Sequence, residues 1–299
     1  MNSSIYINHI SKTYKGKQPV VALDDINLQI RKGELFGLIG PDGAGKSTLF
    51  RILATLLLAD EGEAKVIDYD VVNDFKEIRN RIGYMPGRFS LYPDLTIEEN
   101  LHFFANVFNT TVEANYDLIE DIYVQIEPFK KRKAGKLSGG MKQKLALCCA
   151  LIHKPDVLFL DEPTTGVDPV SRKEFWQMLQ KLQKNITILV STPYMDEAAM
   201  CDRIGLIQHG KIMAVNTPQE IEKKYPYKLY GVKAENNYRL LEQLKSQNNV
   251  RICYISGEYL HVVFANEDQH IDFPNVEIVE IQPTIEDCFI QLMNKDESN

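Results

Sequence analysis

Residues 40–48 read GPDGAGKST and continue the apolar stretch LFGLIG at 35–40. The segment matches the phosphate-loop pattern G-x-x-x-x-G-K-[ST], and its flanks predict a strand, a loop and a helix in that order. Glycines let the backbone approach a polyphosphate closely, and successive N–H groups at a helix N-terminus attract negative charge. The stretch therefore predicts an α/β fold with a nucleotide site. The predicted binding residues here are Gly40, Pro41, Asp42, Gly43, Ala44, Gly45, Lys46, Ser47 and Thr48.

A second segment, DVLFLDEP at 156–163, predicts the catalytic partner of this loop. Its apolar residues predict a buried strand that would deliver Asp161, together with the Ser47 hydroxyl, to a Mg²⁺ ion. Lys46 would contact the β- and γ-phosphates, and Glu162 is the candidate general base for an attacking water. The alternative is that Asp161 and Glu162 form a purely structural turn.

The segment LSGGMKQKLALCCALIHKP at 137–155 is the third element. Ser138 can cap a long helix, and Gly139 and Gly140 would let a ligand approach that helix N-terminus. Because the chain already has a phosphate loop, a second anion-binding helix end is best explained by a nucleotide on another subunit. We therefore predict a dimer that encloses ATP between one phosphate loop and the opposing LSGG.

The segments GPDGAGKST, LSGGMKQK and LFLDEPTTGVDP, in this order, resemble the ATP-binding cassette (ABC) family of transporter ATPases over about residues 3–222. PTTGVDPVSRKEFW, STPYMDEA and the tail QPTIEDCFIQLM are similar to ATPase subunits of multidrug or ABC-2 type exporters. The resemblance implies ATP and Mg²⁺ as cofactors and ATP hydrolysis that powers export. It implies membrane-spanning permease subunits and a second ATPase subunit, identical or different, as partners. The chain would then lie at the cytoplasmic face of the cell membrane.

The resemblance implies roles for three further parts of the chain. Tyr14, in SKTYKG, would stack on the adenine, although plain packing is an alternative. Asp168, in GVDP, would bridge to the opposing subunit. The segment FSLYPDLTIEENL at 89–101 would lead into a helical subdomain that meets the membrane partner.

Two positions depart from the family pattern. The family usually has a glutamine where IGYMPGRFS places Gly87, and a histidine where STPYMDEA places Pro193. Neither residue has a side-chain donor. We expect tight ATP binding and slow hydrolysis at this site, with the complete LSGG serving a different ATPase subunit. Alternatively the proline is tolerated, with Thr192, Tyr194 or water in its place.

Composition narrows the remaining alternatives. The net charge of −7 argues against a dedicated nucleic-acid binder, and the basic run KKRKAGK at 130–136 is best explained as a solvated surface. We find no stretch long and apolar enough to cross a bilayer, so a membrane role would come through a partner. One rival hypothesis is a regulatory ATP-binding subunit with little hydrolysis. Another is an ABC protein of DNA repair or translation, a class that usually carries coiled-coil insertions or two cassettes.

The domain prediction is an ATP-binding domain over residues 1–222, with a mainly parallel sheet and a helical subdomain, and a small α+β accessory or regulatory domain over 223–299. We expect a helix after Pro193, with Asp196 and Glu197 in its first turn. The other predicted helices cover 46–57, 96–107, 112–126, 138–152, 170–182, 238–246 and 284–293. The predicted strands cover 5–10, 35–40, 64–70, 82–86, 156–161, 186–191, 227–234, 251–257, 258–265 and 276–282.

Overall fold

The computed structural model describes residues 3–88, 90–265 and 276–296. The chain forms two compact units, the first ending at Pro218 and the second beginning at Gln219. The strands of the first unit are β1 (Ser3–Tyr14), β2 (Val20–Arg31), β3 (Leu35–Ile39), β4 (Glu61–Val66), β5 (Tyr69–Asp70), β6 (Ile82–Met85), β7 (Val157–Asp161), β8 (Thr187–Thr192), β9 (Arg203–Gln208) and β10 (Lys211–Asn216). Its helices are α1 (Lys46–Leu53), α2 (Phe75–Arg81), α3 (Ile97–Val107), α4 (Tyr116–Tyr123), α5 (Gly139–Leu151) and α6 (Pro169–Leu182).

A six-stranded, mainly parallel sheet carries the candidate site. Its strand order is β10-β9-β3-β8-β7-β6, and every neighbouring pair is parallel except β9 with β10. Every residue of β3, β7 and β8 is buried, as expected for strands covered on both faces. Parallel strands end at one common edge, where Ile39 pairs with Thr192 and Asp161 pairs with Ser191. The predicted α/β fold class is confirmed.

A second, antiparallel sheet with the order β2-β1-β4-β5 was only partly predicted. The long strand β2 was missed, although it pairs with β1 along almost its whole length. The single strand predicted over 64–70 is wrong, because the chain reverses at Ile67 and Asp68. Both residues have positive φ angles, +53° and +65°, which is the backbone conformation of a tight hairpin turn.

Three predicted helices differ from the structure. Helix α1 ends at Leu53, because Thr55 adopts a left-handed φ of +61°. The helix predicted over 112–126 is a short 3₁₀ helix followed by α4. Asn115 interrupts it, because its side-chain amide donates to the carbonyl oxygen of Ile152 at 2.8 Å. The helix expected after Pro193 is a 3₁₀ helix over Met195–Met200.

The core between the sheets fixes α1 against β7. The rings of Phe50 in α1 and Phe159 in β7 meet edge to face with their centroids 6.1 Å apart. Both side chains are fully buried, together with Phe36 of β3. Burying an aromatic side chain contributes roughly 2–3 kcal/mol. This packing holds the helix after the phosphate loop against the strand that ends at Asp161.

The second unit is a four-stranded antiparallel sheet with helices, in agreement with the predicted α+β character. Helix α7 (Pro218–Lys223) crosses the boundary between the units, and the elements that follow are β11 (Leu229–Lys233), α8 (Asn237–Lys245), β12 (Val250–Ser256), β13 (Tyr259–Phe264), β14 (Glu277–Ile281) and α9 (Ile285–Asp296). The strand order is β12-β13-β11-β14. Leu240 and Leu244 of α8 pack with Val232, Leu260 and Val262 in one core cluster.

The helices of residues 3–88, 90–265 and 276–296 are all too short or too polar to span a lipid bilayer.

Candidate nucleotide site

The phosphate loop lies between β3 and α1, at the edge where the parallel strands end. The backbone N–H of Gly40 donates to the carbonyl oxygen of Thr192 at 3.3 Å, which ties the loop to the end of β8. A Cβ atom at Gly40 would lie 2.2 Å from the carbonyl oxygen of Ile207. One at Gly45, whose φ is +106°, would lie 2.3 Å from that of Ala22. Both positions therefore require glycine, as the motif predicts.

Lys46 is the first residue of α1, and its side chain is buried beneath the loop. Its Nζ donates to the carbonyl oxygens of Gly40 and Pro41 at 2.8 and 2.9 Å. The same atom lies 3.1 Å from Oε1 of Glu162. The predicted phosphate-binding cation and the predicted general base are thus paired with each other. An incoming polyphosphate would compete with these oxygens for the ammonium group.

Asp161, at the end of β7, is buried beside the start of α1. Its Oδ1 accepts hydrogen bonds from Ser47 Oγ at 3.1 Å and from Ser191 Oγ at 2.7 Å. The structure thus brings together the two predicted metal ligands. Carboxylate and hydroxyl oxygens are donors that suit Mg²⁺, so this pair fits the ion. Ser191 was missed as a site residue; only its place at the end of a predicted strand could have indicated it.

Glu162 occupies a strained backbone conformation. Its φ is +51°, in the left-handed region, which costs a non-glycine residue about 1–3 kcal/mol. Its backbone N–H donates to both the carbonyl oxygen and the Oγ of Ser191, at 3.1 and 3.0 Å. These bonds hold the strained residue, with its carboxylate directed to Lys46. The side chain is 23% exposed, so water can reach it.

The two departures from the family pattern lie beside this loop. A Cβ atom at Gly87 would lie 3.1 Å from the carbonyl oxygen of Asp161, which places position 87 next to one of the predicted metal ligands. Pro193 directly follows Thr192, whose carbonyl oxygen accepts the Gly40 N–H. The Thr192 hydroxyl is fully buried and donates to Glu197 Oε2 at 2.5 Å. Thr192 is therefore not free to serve a phosphate in place of the usual histidine.

The LSGG segment and Asp168 form a separate surface, which we call the signature surface (Ser138, Gly139, Gly140 and Asp168), in which Gly140 is buried. Ser138 caps α5 as predicted, accepting the backbone N–H of Met141 at 3.3 Å. Leu137, just before it, is buried. Asp168 caps α6 through the backbone N–H of Ser171 at 3.0 Å, and this hydrogen bond lowers the pKa of its carboxyl.

Helices α5 and α6 start side by side at the signature surface. A Cβ atom at Gly140 would lie 2.7 Å from Ser171 Oγ, so the closeness of the two helices requires glycine there. Ser138, Gly139 and Asp168 are exposed. The N-terminus of α5 therefore presents partial positive charge on an accessible surface, whereas the carboxylate of Asp168 offsets that charge at the N-terminus of α6.

Tyr14 lies beside the start of α1. Its hydroxyl is 3.3 Å from Thr48 Oγ1, and the residue is 39% exposed. This exposure leaves room for an adenine to stack on the ring, as expected for the role that the resemblance implies.

Glu197 lies in the first turn of the helix after Pro193, as predicted, but its burial and its side-chain contacts were missed. The residue is 4% exposed and accepts hydrogen bonds from three side chains, which belong to Thr192, Thr164 and Arg172. A buried carboxylate with this many donors is part of a polar network around the site. The pattern of acidic residues after a strand gave no sign of its burial.

Comparison with known proteins gives matches that include the same motifs. Residues 23–165 match the family described as ABC transporter. The chain is 38% identical to the probable multidrug ABC transporter ATP-binding protein YbhF of Escherichia coli (strain K12), over 98% of this chain and 53% of that protein. It is also 38% identical to the doxorubicin resistance ATP-binding protein DrrA of Mycobacterium tuberculosis (strain ATCC 25618 / H37Rv), over 74% of this chain and 68% of that protein.

A solved structure shows the same architecture. The ATP-binding cassette MJ0796, in a dimeric post-hydrolysis state bound to ADP and Pi, is 28% identical with a TM-score of 0.64. The match covers 71% of this chain and 98% of that one. The chain spans about half the length of the YbhF protein that it matches. The three motifs, the fold and these relatives agree, and the chain belongs to the ATP-binding proteins of the ABC transporter family.

Proposed function

We propose that the chain is the ATP-binding and ATP-hydrolysing subunit of an exporter of the multidrug or ABC-2 type. One observation carries the proposal. At one edge of the sheet the predicted cation Lys46 contacts the predicted base Glu162, beside the predicted metal ligands Ser47 and Asp161. Relatives described as multidrug and doxorubicin resistance ATP-binding proteins support the class of transport.

The contacts suggest how ATP would activate the site. Lys46 would exchange the carbonyl oxygens of Gly40 and Pro41 for phosphate oxygens, which carry more negative charge. Glu162 would lose its ion pair with Lys46 and become free to accept a proton from an attacking water. Mg²⁺, held by Ser47 and Asp161, would neutralise charge on the phosphates. The strained backbone of Glu162 keeps its carboxylate aimed at this position.

The signature surface would complete the site of a second ATPase subunit. Ser138 and Gly139 are exposed at a helix N-terminus, where partial positive charge favours a phosphate. MJ0796 is described as dimeric, which supports the same assembly for this chain. ATP would then be shared between the loop of one subunit and the signature surface of the other, and its hydrolysis would release the dimer.

A permease segment would occupy an apolar groove of about 430 Å³ beside β6. The groove includes Tyr84, Met85 and Leu91, and continues to Val107 and Phe108 at the end of α3. It lies next to the segment that leads from β6 to Gly87. A permease bound there would therefore contact the segment that packs beside Asp161. Through this contact the chain would sit at the cytoplasmic face of the membrane.

The permease contact is tested by Val107→Asp. Val107 is 56% exposed, so the change places a charge in the groove without opening the core. In native cells we expect a smaller share of the variant to sediment with the membrane fraction. Its ATP turnover in solution should stay unchanged. Val170→Asp, at a 69% exposed position outside the groove, is the control. Equal membrane association of the two variants would refute the groove as the docking site.

Hydrolysis is tested by phosphate release from the purified chain with Mg-ATP. Glu162→Gln removes the base but keeps the shape, so we expect turnover to fall by about 100-fold or more with ATP binding retained. Glu174→Gln, on an exposed carboxylate paired with Lys144, is the matched control. A wild-type chain that releases no phosphate, or an unchanged Glu162→Gln rate, would refute the proposal.

A further inference from the structure

The buried carboxylate of Glu197 joins three separate parts of the first unit. Its Oε2 accepts the hydroxyl of Thr192, at the end of β8, at 2.5 Å. Its Oε1 accepts the hydroxyl of Thr164, in the loop after β7, at 2.8 Å, and Nε of Arg172, in α6, at 3.0 Å. Burying a carboxylate is costly unless it is paired and hydrogen-bonded, and these donors meet that need.

Two of these partners belong to the chain segments that carry the candidate catalytic groups. Thr164 follows Glu162 by two residues, and the N–H of Thr165 donates back to the Glu162 carbonyl oxygen at 3.3 Å. Thr192 follows Ser191, which hydrogen-bonds both Asp161 and the backbone of Glu162. Glu197 therefore ties the end of β7 to the end of β8, just behind the residues that face the phosphate loop.

The third partner, Arg172, extends the network to the chain after Pro193. Its guanidinium carbon lies 4.1 Å from the ring centroid of Tyr194, a cation–π contact. It also pairs with Asp196 at 3.3 Å, but that carboxylate is 77% exposed. The N–H of Tyr194 donates to Thr192 Oγ1 at 3.1 Å. Together these contacts define the conformation of the segment that begins at Thr192.

We propose that Glu197 is a positioning residue for ATP hydrolysis, which holds the ends of β7 and β8 so that Glu162 and Asp161 face the phosphate loop. The inference rests on the proposed hydrolytic function. The need for such a clamp is greater here because Pro193 contributes no side-chain hydrogen bond. The backbone beside Pro193 must then be held by its neighbours.

The chemistry of the variant Glu197→Gln is well defined. An amide oxygen in the place of Oε1 still accepts from Thr164 and Arg172. The amide nitrogen would then face Thr192 Oγ1. The Thr192 hydroxyl would lose the acceptor of its hydrogen bond, and its proton would have to point elsewhere. The substitution keeps the volume of the side chain but loosens the end of β8 and removes the charge that faces Arg172.

The test compares Glu197→Gln with Asp196→Asn, which removes the exposed carboxylate on the same arginine. We expect kcat of Glu197→Gln to fall about 10- to 100-fold, with ATP affinity and Tm close to wild type. Asp196→Asn should keep the wild-type kcat. Thr192→Val should reproduce most of the loss, and the double variant should lose little more, because both changes break one contact.

Hydrogen exchange provides a readout that does not depend on turnover. In Glu197→Gln we expect faster exchange of the backbone amides of Glu162 and Tyr194, with the amides of α1 unchanged. Unchanged exchange at Glu162 would overturn the inference whatever the turnover. A wild-type chain that hydrolyses ATP and a Glu197→Gln chain with the same kcat would also overturn it. Absence of hydrolysis by the wild type would instead refute the proposed function.

Discussion

The two halves of the candidate ATP site are built in opposite ways. Around the phosphate loop, Lys46, Asp161 and Glu162 are bonded to groups of the same chain, and two of the three are buried. On the signature surface, Ser138 and Asp168 are exposed, and their oxygens cap their own helices. The first half is assembled by contacts within the fold, whereas the second is an exposed surface at the N-termini of two helices. Both departures from the family pattern fall on the first half.

The largest expected effect breaks the first half. Lys46→Ala removes an ammonium that would contact phosphates, and we expect ATP affinity to fall about 100-fold or more, because each charge-assisted hydrogen bond contributes about 1.5–3 kcal/mol. Isothermal titration calorimetry with ATP measures the loss. Lys173→Ala, at an exposed position of α6, is the control. Near-wild-type affinity in Lys46→Ala would mean that the loop does not bind the phosphates.

The second effect breaks only the signature surface. Gly139→Arg places a bulky side chain on an exposed position where a Cβ atom would meet only Gly166, at 3.4 Å. We expect the variant to bind ATP at its own loop but to lose ATP-dependent dimerisation and about 100-fold of turnover. Light scattering with ATP, on the slow Glu162→Gln background, measures the dimer.

Mixing the two variants sharpens the comparison further. A dimer of Lys46→Ala and Gly139→Arg subunits contains one site in which the intact loop of the second subunit faces the intact signature surface of the first. We expect the mixture to recover part of the turnover that each variant lacks alone. No recovery at any mixing ratio would contradict a site shared between subunits.

A smaller effect concerns position 193. Pro193→His would place a donor beside the phosphate loop, and we expect turnover to rise about 10-fold, somewhat less than the usual contribution of a preorganised transition-state donor. Proline has no backbone N–H, so the change breaks no hydrogen bond. Steady-state phosphate release measures it, and Pro193→Ala separates the new donor from the loss of the ring. Equal rates for wild type and Pro193→His would show that Tyr194 or water already serves this role.

A still smaller effect is expected at Tyr14, which lies beside the phosphate loop. Tyr14→Ala removes the ring that would stack on the adenine, and we expect ATP affinity to fall about 3- to 10-fold, from a stacking contribution of about 0.5–1.5 kcal/mol. Tyr14→Phe keeps the ring and should keep the affinity. An equal loss in the two variants would instead assign the effect to the hydroxyl, which contacts Thr48.

The smallest effect on turnover is expected in the second unit, where Asp287 is buried in a hydrogen-bonded cluster. Burial disfavours the charged form of Asp287, but hydrogen bonds from His261, Thr284 and Tyr254 outweigh it and lower its pKa from 3.8 to about 2. Because the folded pKa is depressed, the stabilisation is present above about pH 4 and is lost as the pH falls towards 2. It amounts to about 2 kcal/mol at neutral pH.

Asp287→Asn should therefore lower the free energy of unfolding at neutral pH. It should also reduce the dependence of that free energy on pH between pH 4 and 2. Turnover at pH 7 should stay unchanged. Circular dichroism across this pH range and phosphate release measure the two effects. Glu286→Gln, at the neighbouring exposed position, is the control. A fall in the turnover of folded Asp287→Asn would contradict a site made of two halves only.

The parts of the molecule that could be predicted are those with local signals. The phosphate loop combines a strand, three glycines and a lysine within a few residues, and Ser138 stands at the predicted start of α5. The two-strand form of residues 61–70 was missed, because positive φ at Ile67 and Asp68 has no reliable signature in those residue types. Strand β2 was missed although Ile26, Leu28 and Ile30 alternate with polar residues and Gly16 and Pro19 mark the turn after β1.

The sequence by itself determined the chemistry predicted for the site: the phosphate loop, the two carboxylates at the end of β7, and the two departures at Gly87 and Pro193. Those features depend on residue types at short spacing, where backbone sterics and side-chain chemistry act directly. Only the tertiary structure decided which groups meet. The parallel register of β7 and β8 places Ser191 against Asp161 and Glu162, and burial directs Glu197 inward to Thr192 and Thr164. Apart from the contact between Glu197 and Thr192, which are five positions apart, these contacts join residues about 30 positions apart, and they depend on how the strands pair.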